Sequence, residues 1–201
     1  LGQIADRDDH FRDPATAAQA RALVEKISSL TERELKRARL AGAAGGGERL
    51  DLGRELDALA GVLRQLYRDR ALSIDVMHPA EMRFAADRED MRELFGNLLD
   101  NACKWAGSRV RIALRHESAT ETLVFGVEDD GPGVPDALLG SIGAAGARAD
   151  ESRPGHGLGL AIVGDIVAQY GGSIEYGRSE ALGGLRVSGR LPLGEAVDPA
   201  A

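Results

Sequence analysis

A predicted helix over residues 88–105 carries the sequence Asn97-Leu-Leu-Asp-Asn101-Ala-Cys-Lys104-Trp105 in its C-terminal half. Asp87 precedes this helix and is a residue type that caps helix N-termini with its side chain. The apolar residues recur at helical spacing and predict one buried stripe made of Met91, Leu94, Leu98 and Ala102. The segment therefore predicts a helix with one face in a core and the other available for chemistry.

The face opposite that stripe carries four polar residues at spacings of four, four and three: Glu93, Asn97, Asn101 and Lys104. An asparagine carbonyl is a neutral oxygen ligand suited to Mg²⁺, which keeps several waters and takes few protein ligands. A lysine ammonium supplies a point charge for a phosphate group. The alternative is an ordinary solvated helix face.

A second motif ends a predicted strand and reads Glu128-Asp129-Asp130-Gly131-Pro132-Gly133. An acid at the end of a strand, followed by glycines that let the backbone approach a ligand, can accept a hydrogen bond from an amine such as adenine N6. Guanine lacks that donor at the same place. The alternatives are an acidic turn and a metal-binding cluster of acids.

The third motif is Gly155-His156-Gly157-Leu158-Gly159-Leu160, which leads into a helix predicted over residues 158–170. Its alternating glycines expose backbone amides at a helix N-terminus, where the amides and the helix dipole favour phosphate. The spacing matches neither the Rossmann dinucleotide pattern nor the P-loop.

About twenty residues separate the second and third motifs, a length that is unusual for a connection unless it is functional. Arg148 and Arg153 lie in this stretch, and a lid carrying two cations could close over phosphates. The alternative is a surface loop without a ligand.

Around these motifs the pattern predicts one more helix, over residues 52–69, and several strands with alternating apolar residues. The strands are predicted near residues 72–76, 110–114, 123–127, 173–177 and 185–191. Helices and strands in this arrangement indicate an α/β two-layer sandwich, a mixed sheet packed on helices. They do not alternate evenly, as a doubly wound fold would require.

The overall composition limits the partners of the chain. Its 201 residues include 25 Lys and Arg against 32 Asp and Glu, so the net charge of -7 argues against general binding of nucleic acid. No apolar stretch approaches the roughly 18 residues of a membrane span. We therefore expect a soluble chain without a nucleic-acid partner or membrane contact. The chain begins at Leu1 without a signal-peptide pattern, so we expect it to derive from a longer protein.

The N-terminal part predicts a separate helical unit. Asp13-Pro14 opens an amphipathic helix that runs to about Ala41, and its apolar stripe needs a partner. We expect residues 1–42 to be a truncated helical hairpin that is completed by dimerisation, and residues 43–50 to be a glycine-rich linker. The domain that carries the three motifs is predicted over residues 51–194, followed by a polar tail, 195–201.

Taken in order, the three motifs resemble the N, G1 and G2 boxes of sensor histidine kinases. That family places these boxes on the Bergerat (GHKL) ATP-binding fold, a mixed α/β sandwich shared with gyrase, Hsp90 and MutL. The resemblance covers residues from about 15 to 192. It is greatest to PhoQ-type kinases, which have a similar Arg-Pro-Gly before the G2 box and a similar Gly-Gly-Gly linker.

The resemblance implies ATP and Mg²⁺ as cofactors. It places Asn101 at Mg²⁺, with Asn97 nearby, and it places Lys104 at a phosphate. It places Trp105 against the adenine ring and Asp129 at the adenine amine. Asn97 and Lys104 are the residues expected to act in catalysis. The remaining residues that it places at the nucleotide are Gly131, Gly133, Arg148, Arg153, Gly155, His156, Gly157, Leu158, Gly159 and Leu160.

Three departures from the family pattern matter. No histidine of the chain has the sequence context of a phosphoacceptor; His10 comes nearest, but Phe11 follows it where the family has an acid. We therefore expect the acceptor to lie before Leu1, so that the chain binds ATP without phosphorylating itself on histidine. In the lid, Gly143-Ala144-Ala145 stands where the family commonly has a phenylalanine, and His156 stands where PhoQ-type kinases have glutamine.

The resemblance implies the ATP-binding catalytic region of a sensor histidine kinase, cytoplasmic in a bacterial inner-membrane protein. The γ-phosphoryl group of ATP would pass to a histidine and then to an aspartate on the receiver domain of a response regulator, with homodimerisation through the hairpin. The alternatives are a non-kinase GHKL ATPase, an anti-sigma-like serine kinase and an inactive nucleotide-binding scaffold. The helical segment before the linker argues against the first two.

Overall fold

A mixed five-stranded sheet organises the part of the chain that the computed structural model describes, residues 49–143 and 159–192. The strands are β1 (Leu50–Asp51), β2 (Ser73–Met77), β3 (Arg83–Phe84), β4 (Arg109–Glu117), β5 (Thr122–Asp129), β6 (Ser173–Arg178) and β7 (Leu185–Pro192). The helices are α1 (Leu52–Leu66), α2 (Arg88–Trp105), α3 (Asp136–Leu139) and α4 (Gly159–Gln169). The sheet order is β2-β4-β5-β7-β6, in which β2 and β4 pair in parallel and the other neighbouring strands pair antiparallel; β1 pairs separately with β3.

Helix α1 starts where a side chain satisfies its first turn and packs an apolar face inward. The Asp51 carboxylate accepts a hydrogen bond from the Arg54 amide at 3.2 Å, which caps the N-terminus. The buried side chains of the helix include Leu52, Leu56, Ala60 and Leu63. The helix was expected to reach residue 69, but it ends at Leu66 because residues 68–70 tighten into a 3₁₀ turn.

Helix α2 has the predicted bounds, cap and buried stripe. Asp87 Oδ1 accepts hydrogen bonds from the amides of Glu89 (2.8 Å) and Asp90 (3.1 Å). The four predicted core residues are buried, and so are Phe95, Leu99 and Cys103, each of which follows one of them in the sequence. The Phe95 ring meets the Phe125 ring of β5 edge-on, with centroids 5.5 Å apart, and this contact joins the helix layer to the sheet.

The sheet buries one face against the helices. Val110, Ile112 and Leu114 of β4 are buried, while the arginines that alternate with them lie on the opposite face. Helix α2 contacts α1, α4, β4 and β5, so it occupies the centre of the helical layer. The predicted α/β two-layer sandwich is confirmed.

The other predicted elements agree with the structure to within two residues at each end, except that β4 continues three residues beyond its predicted end, to Glu117. The short pair β1–β3 and the four-residue helix α3 were not predicted. The expectations for residues 1–42, for the linker up to residue 48 and for the tail lie outside the described residues. Within residues 49–143 and 159–192, no helix has both the length and the apolar content needed to cross a membrane.

Candidate functional site

The structure brings parts of all three sequence motifs together around the C-terminal half of α2. Gly159, the first residue of α4, lies against Asn97, and a Cβ built on this glycine would be 3.1 Å from Asn97 Oδ1. Gly131, just after β5, packs so tightly that a Cβ there would collide with the Trp105 carbonyl oxygen and lie 2.9 Å from Asp129 Oδ1. Only glycine permits this approach of the β5 end to α2.

On the polar face of α2, Asn97 and Asn101 are partly buried and Glu93 and Lys104 are exposed, whereas the apolar stripe is buried. Asn97 Nδ2 donates a hydrogen bond to the Glu93 carbonyl at 2.8 Å, which leaves Asn97 Oδ1 on the side of Gly159. Lys104 Nζ lies 2.5 Å from Asp100 Oδ2. A lysine and two amide oxygens therefore lie on one face of α2.

The segment after α1 holds the C-terminal end of α2, a contact that none of the sequence motifs indicated. The Arg70 guanidinium donates to the carbonyl oxygens of Cys103 (2.6 Å), Lys104 (3.1 Å) and Ala106 (2.6 Å). The Tyr67 hydroxyl donates to Asp100 Oδ1 at 2.8 Å. These bonds satisfy carbonyl groups that a helix end otherwise leaves without partners.

Asp129 is buried at the end of β5, with 2% of its surface exposed. Its Oδ1 accepts hydrogen bonds from the amides of Gly131 (2.8 Å) and Leu185 (3.3 Å). Burial raises the pKa of Asp129, and the charge of Asp130 adds to the increase, although the two amides oppose it. The second oxygen, Oδ2, accepts no hydrogen bond from the described residues, so a ligand donor has an acceptor there.

The two other acidic residues of the second motif, Glu128 and Asp130, make different contacts from those of Asp129. Glu128 lies on the opposite face of the sheet, within 3.9 Å of Arg111 and 3.7 Å of Arg186. Asp130 accepts from the amides of Ser108 and Arg109 at 2.9 Å and from the Ser108 hydroxyl at 2.7 Å. Burial alone would raise the pKa of Asp130, but these donors, with the Gly107 amide, lower it to about 2.

The alternative of a metal-binding acid cluster is therefore not supported. In the described part of the chain, no three His, Cys, Asp or Glu side chains converge as metal ligands. A cation here would need few protein ligands, and the amide oxygens of Asn97 and Asn101 are of the type that Mg²⁺ accepts beside water and phosphate. The donor set therefore fits Mg²⁺ brought in with a polyphosphate.

The remaining predicted site residues divide into two groups. Gly133 has a φ of 74°, a conformation that favours glycine, and Leu160 packs partly buried against the core. The other predicted residues lie outside the described residues: Arg148, Arg153, Gly155, His156, Gly157 and Leu158. Ala144 and Ala145 of the altered lid also lie there, whereas Gly143 packs against the Tyr176 ring.

Comparison with known proteins identifies the class of molecule that shares this arrangement. Residues 86–195 match the family described as histidine kinase-, DNA gyrase B-, and HSP90-like ATPase. The sensor protein kinase CarS of Pseudomonas aeruginosa is 40% identical over 193 residues, which are 96% of this chain and 42% of CarS. The sensor protein PhoQ of Escherichia coli is 40% identical over 132 residues, 66% of this chain and 26% of PhoQ.

A solved structure gives the same result at the level of the fold. Full-length ShkA in complex with AMPPNP has a TM-score of 0.63 and 25% identity, and the match covers 93% of this chain and 41% of ShkA. The chain thus spans less than half the length of CarS, PhoQ or ShkA.

Proposed function

The chain belongs to the family of histidine kinase-, DNA gyrase B- and HSP90-like ATPases, and we propose that it is the ATP-binding catalytic region of a sensor histidine kinase. In this proposal the γ-phosphoryl group of ATP passes to a histidine and then to an aspartate of a response regulator in two-component signalling. The sensor kinases CarS and PhoQ, each 40% identical to it, support this assignment within the family.

The observation that carries the proposal is the environment of Asp129. A buried carboxylate with one oxygen fixed by two amides offers its second oxygen to a donor, and the exocyclic amine of adenine is such a donor. Guanine has a carbonyl oxygen at the corresponding ring position, which would face the carboxylate with a second acceptor. We therefore propose selectivity for adenine, with Trp105 against the base.

The phosphate end of the nucleotide is assigned to the polar face of α2. Asn101, with Asn97 nearby, would hold Mg²⁺, which when bound neutralises phosphate charge. Lys104 supplies a further positive charge on the same face. In phosphoryl transfer a protein mainly positions groups and offsets charge, and this face provides both functions. Gly159 at the start of α4 lies beside Asn97, so amides at that helix end are near the same phosphates.

The attacking imidazole is assigned to another part of the kinase. The two described histidines have other contacts: His78 with Asp57 and the Pro79 carbonyl, and His116 with Glu121. We propose a homodimer formed through the helical hairpin, a receiver domain as the second partner, and a cytoplasmic position in a membrane sensor.

Fluorescence of Trp105 tests nucleotide binding because it is the only tryptophan of the chain. We expect a saturable change with a non-hydrolysable ATP analogue, tighter with Mg²⁺ than without it, and no change with the GTP analogue. Equal responses to both analogues would contradict the role of Asp129, and no response to either, supported by calorimetry, would contradict the nucleotide site.

A pair of neighbouring variants sharpens this test. Asp129→Asn presents an amide donor where the adenine amine needs an acceptor, so we expect affinity for the ATP analogue to fall at least about tenfold. Asp130→Asn is the matched control, because its side chain contacts Ser108 and Arg109, and it should keep the parent affinity. Equal losses in the two variants would contradict the assignment.

Transfer is tested by adding a hairpin that carries a phosphoacceptor histidine. With labelled ATP we expect acid-labile phosphate on the hairpin and none on the 201-residue chain alone. Steady hydrolysis without transfer would identify a GHKL ATPase instead, and binding without transfer would identify a scaffold.

A further inference from the structure

Tyr67, Asp100 and Lys104 form a chain of contacts on the site side of α2. The Tyr67 hydroxyl donates to Asp100 Oδ1 at 2.8 Å, and Lys104 Nζ lies 2.5 Å from Asp100 Oδ2. Each oxygen of this carboxylate thus has its own donor. Tyr67 lies at the C-terminal end of α1, 33 residues before Asp100 in the sequence.

We propose that Tyr67 is a positioning residue, which orients the Asp100 carboxylate so that Asp100 holds the Lys104 ammonium toward the nucleotide phosphates. The inference rests on the proposed function, because it presupposes a nucleotide on this face of α2. It assigns to Tyr67 and Asp100 no direct contact with the nucleotide.

The physical need for such positioning comes from the lysine side chain. Lysine is a point charge on a flexible stem and loses much rotamer freedom when it is held in one place. The side chains of Lys104 and Asp100 remain 44% and 34% exposed, and an ion pair at such exposure is weak when both partners can move. A carboxylate fixed by a second donor holds the ammonium in a narrower range of positions.

Two further observations fit this role. A tyrosine hydroxyl is protonated at neutral pH, and burial, followed by the hydrogen bond to Asp100, raises the pKa of Tyr67 further, so the hydroxyl remains a donor. Arg70, three residues after Tyr67, donates to the Cys103 and Lys104 carbonyl oxygens. One short segment, residues 67–70, therefore fixes both the backbone at Lys104 and the carboxylate that contacts its side chain.

The test compares ligands with and without phosphates in the 201-residue chain. We expect Tyr67→Phe to weaken ADP binding about threefold to tenfold, the effect of losing one hydrogen bond, and to leave adenosine binding unchanged. Lys104→Met should weaken ADP binding more, and adding Tyr67→Phe to it should cost nothing further, because the two residues act on one contact. Calorimetry gives the dissociation constants, and thermal unfolding reports stability.

Tyr170→Phe is the matched control. Its hydroxyl also donates to an aspartate of α2, Asp90, at 3.1 Å, but at the opposite end of the helix from Lys104. We expect it to lower the melting temperature without changing the ratio of ADP to adenosine affinity.

Several outcomes would overturn the inference. They are an unchanged ADP affinity in Tyr67→Phe, an equal loss for ADP and adenosine, an additive loss in the double variant, and a Lys104→Met variant that binds ADP like the parent. A parent chain that binds neither ligand would instead overturn the proposed function, and the inference with it.

Discussion

The two ends of α2 are held by the same pair of residue types in different surroundings. At the N-terminal end, the Tyr170 hydroxyl donates to Asp90, which is 4% exposed; at the C-terminal end, the Tyr67 hydroxyl donates to Asp100, whose side chain is 34% exposed. A buried hydrogen-bonded carboxylate is costly to leave unpaired, whereas a half-exposed one can be solvated. The contact at the N-terminal end therefore contributes mainly to the stability of the fold, whereas the C-terminal end is accessible to a ligand.

The largest effect on stability is expected from Asp90→Ala. This change removes the acceptor of the Tyr170 hydroxyl and of the Gln169 amide, at 3.3 Å, within the core. We expect the free energy of unfolding to fall by about 2–3 kcal/mol, as measured by urea denaturation. Asp100→Ala is the control at the other end and should cost less than about 1 kcal/mol. Equal losses would show that the two ends do not differ.

Arg70→Met tests how much the hydrogen bonds to the backbone carbonyl groups at the C-terminal end of α2 contribute to stability. Loss of the guanidinium leaves three carbonyl oxygens of the last turn to water, and we expect a cost of about 1–2 kcal/mol in the free energy of unfolding. Arg92→Met is the matched control because Arg92 pairs with Glu55 on the surface, at 2.8 Å, and should cost less than about 0.5 kcal/mol. A larger loss in the control would refute this ranking.

Of these three substitutions, Asp130→Asn is expected to change the free energy of unfolding least; it alters the turn after α2. The folded-state pKa of Asp130 is about 2, below the ordinary value of 3.8. The ionised group therefore stabilises the fold fully above pH 3.8, and this contribution is lost as the pH falls toward 2. Asparagine keeps one acceptor oxygen, so we expect a loss of about 0.5–1 kcal/mol at neutral pH and a flatter stability profile between pH 4 and pH 2. Urea denaturation at several pH values in that range measures this profile. If the free energy of unfolding of the variant depended on pH as strongly as that of the parent, the contribution of the Asp130 contacts would be contradicted.

Local signals explain how much of this fold could be predicted. The bounds of α2 follow from the Asp87 cap and from a stripe of apolar residues, both of which depend only on neighbours in the sequence. The strands β1 and β3 have two residues each, too few for a periodic pattern, and they pair only because the fold brings them together. The family resemblance is confirmed by the match over residues 86–195.

The residues expected to contact the ligand could be predicted from the sequence, but the residues that hold α2 in place could not. The polar face of α2 and the nearness of the three motifs follow from spacing and from the resemblance, and the contacts at Asn97 and Gly131 agree with them. Asp100 could have been found, since it precedes Lys104 by four residues and such pairs meet on a helix. Tyr67 and Arg70 left no local signal, because their partners lie more than 30 residues away.

The end of β5 has a consequence for how the length of this chain can vary. Glu128, Asp129 and Asp130 have three different environments, and a one-residue insertion or deletion among them would exchange those environments, because a strand reverses its faces with every residue. Such a slip would bury a carboxylate without its amides and leave the turn without its acceptor. Length changes are therefore expected to be tolerated in the exposed turn at residues 118–120 and rejected between Val127 and Gly131.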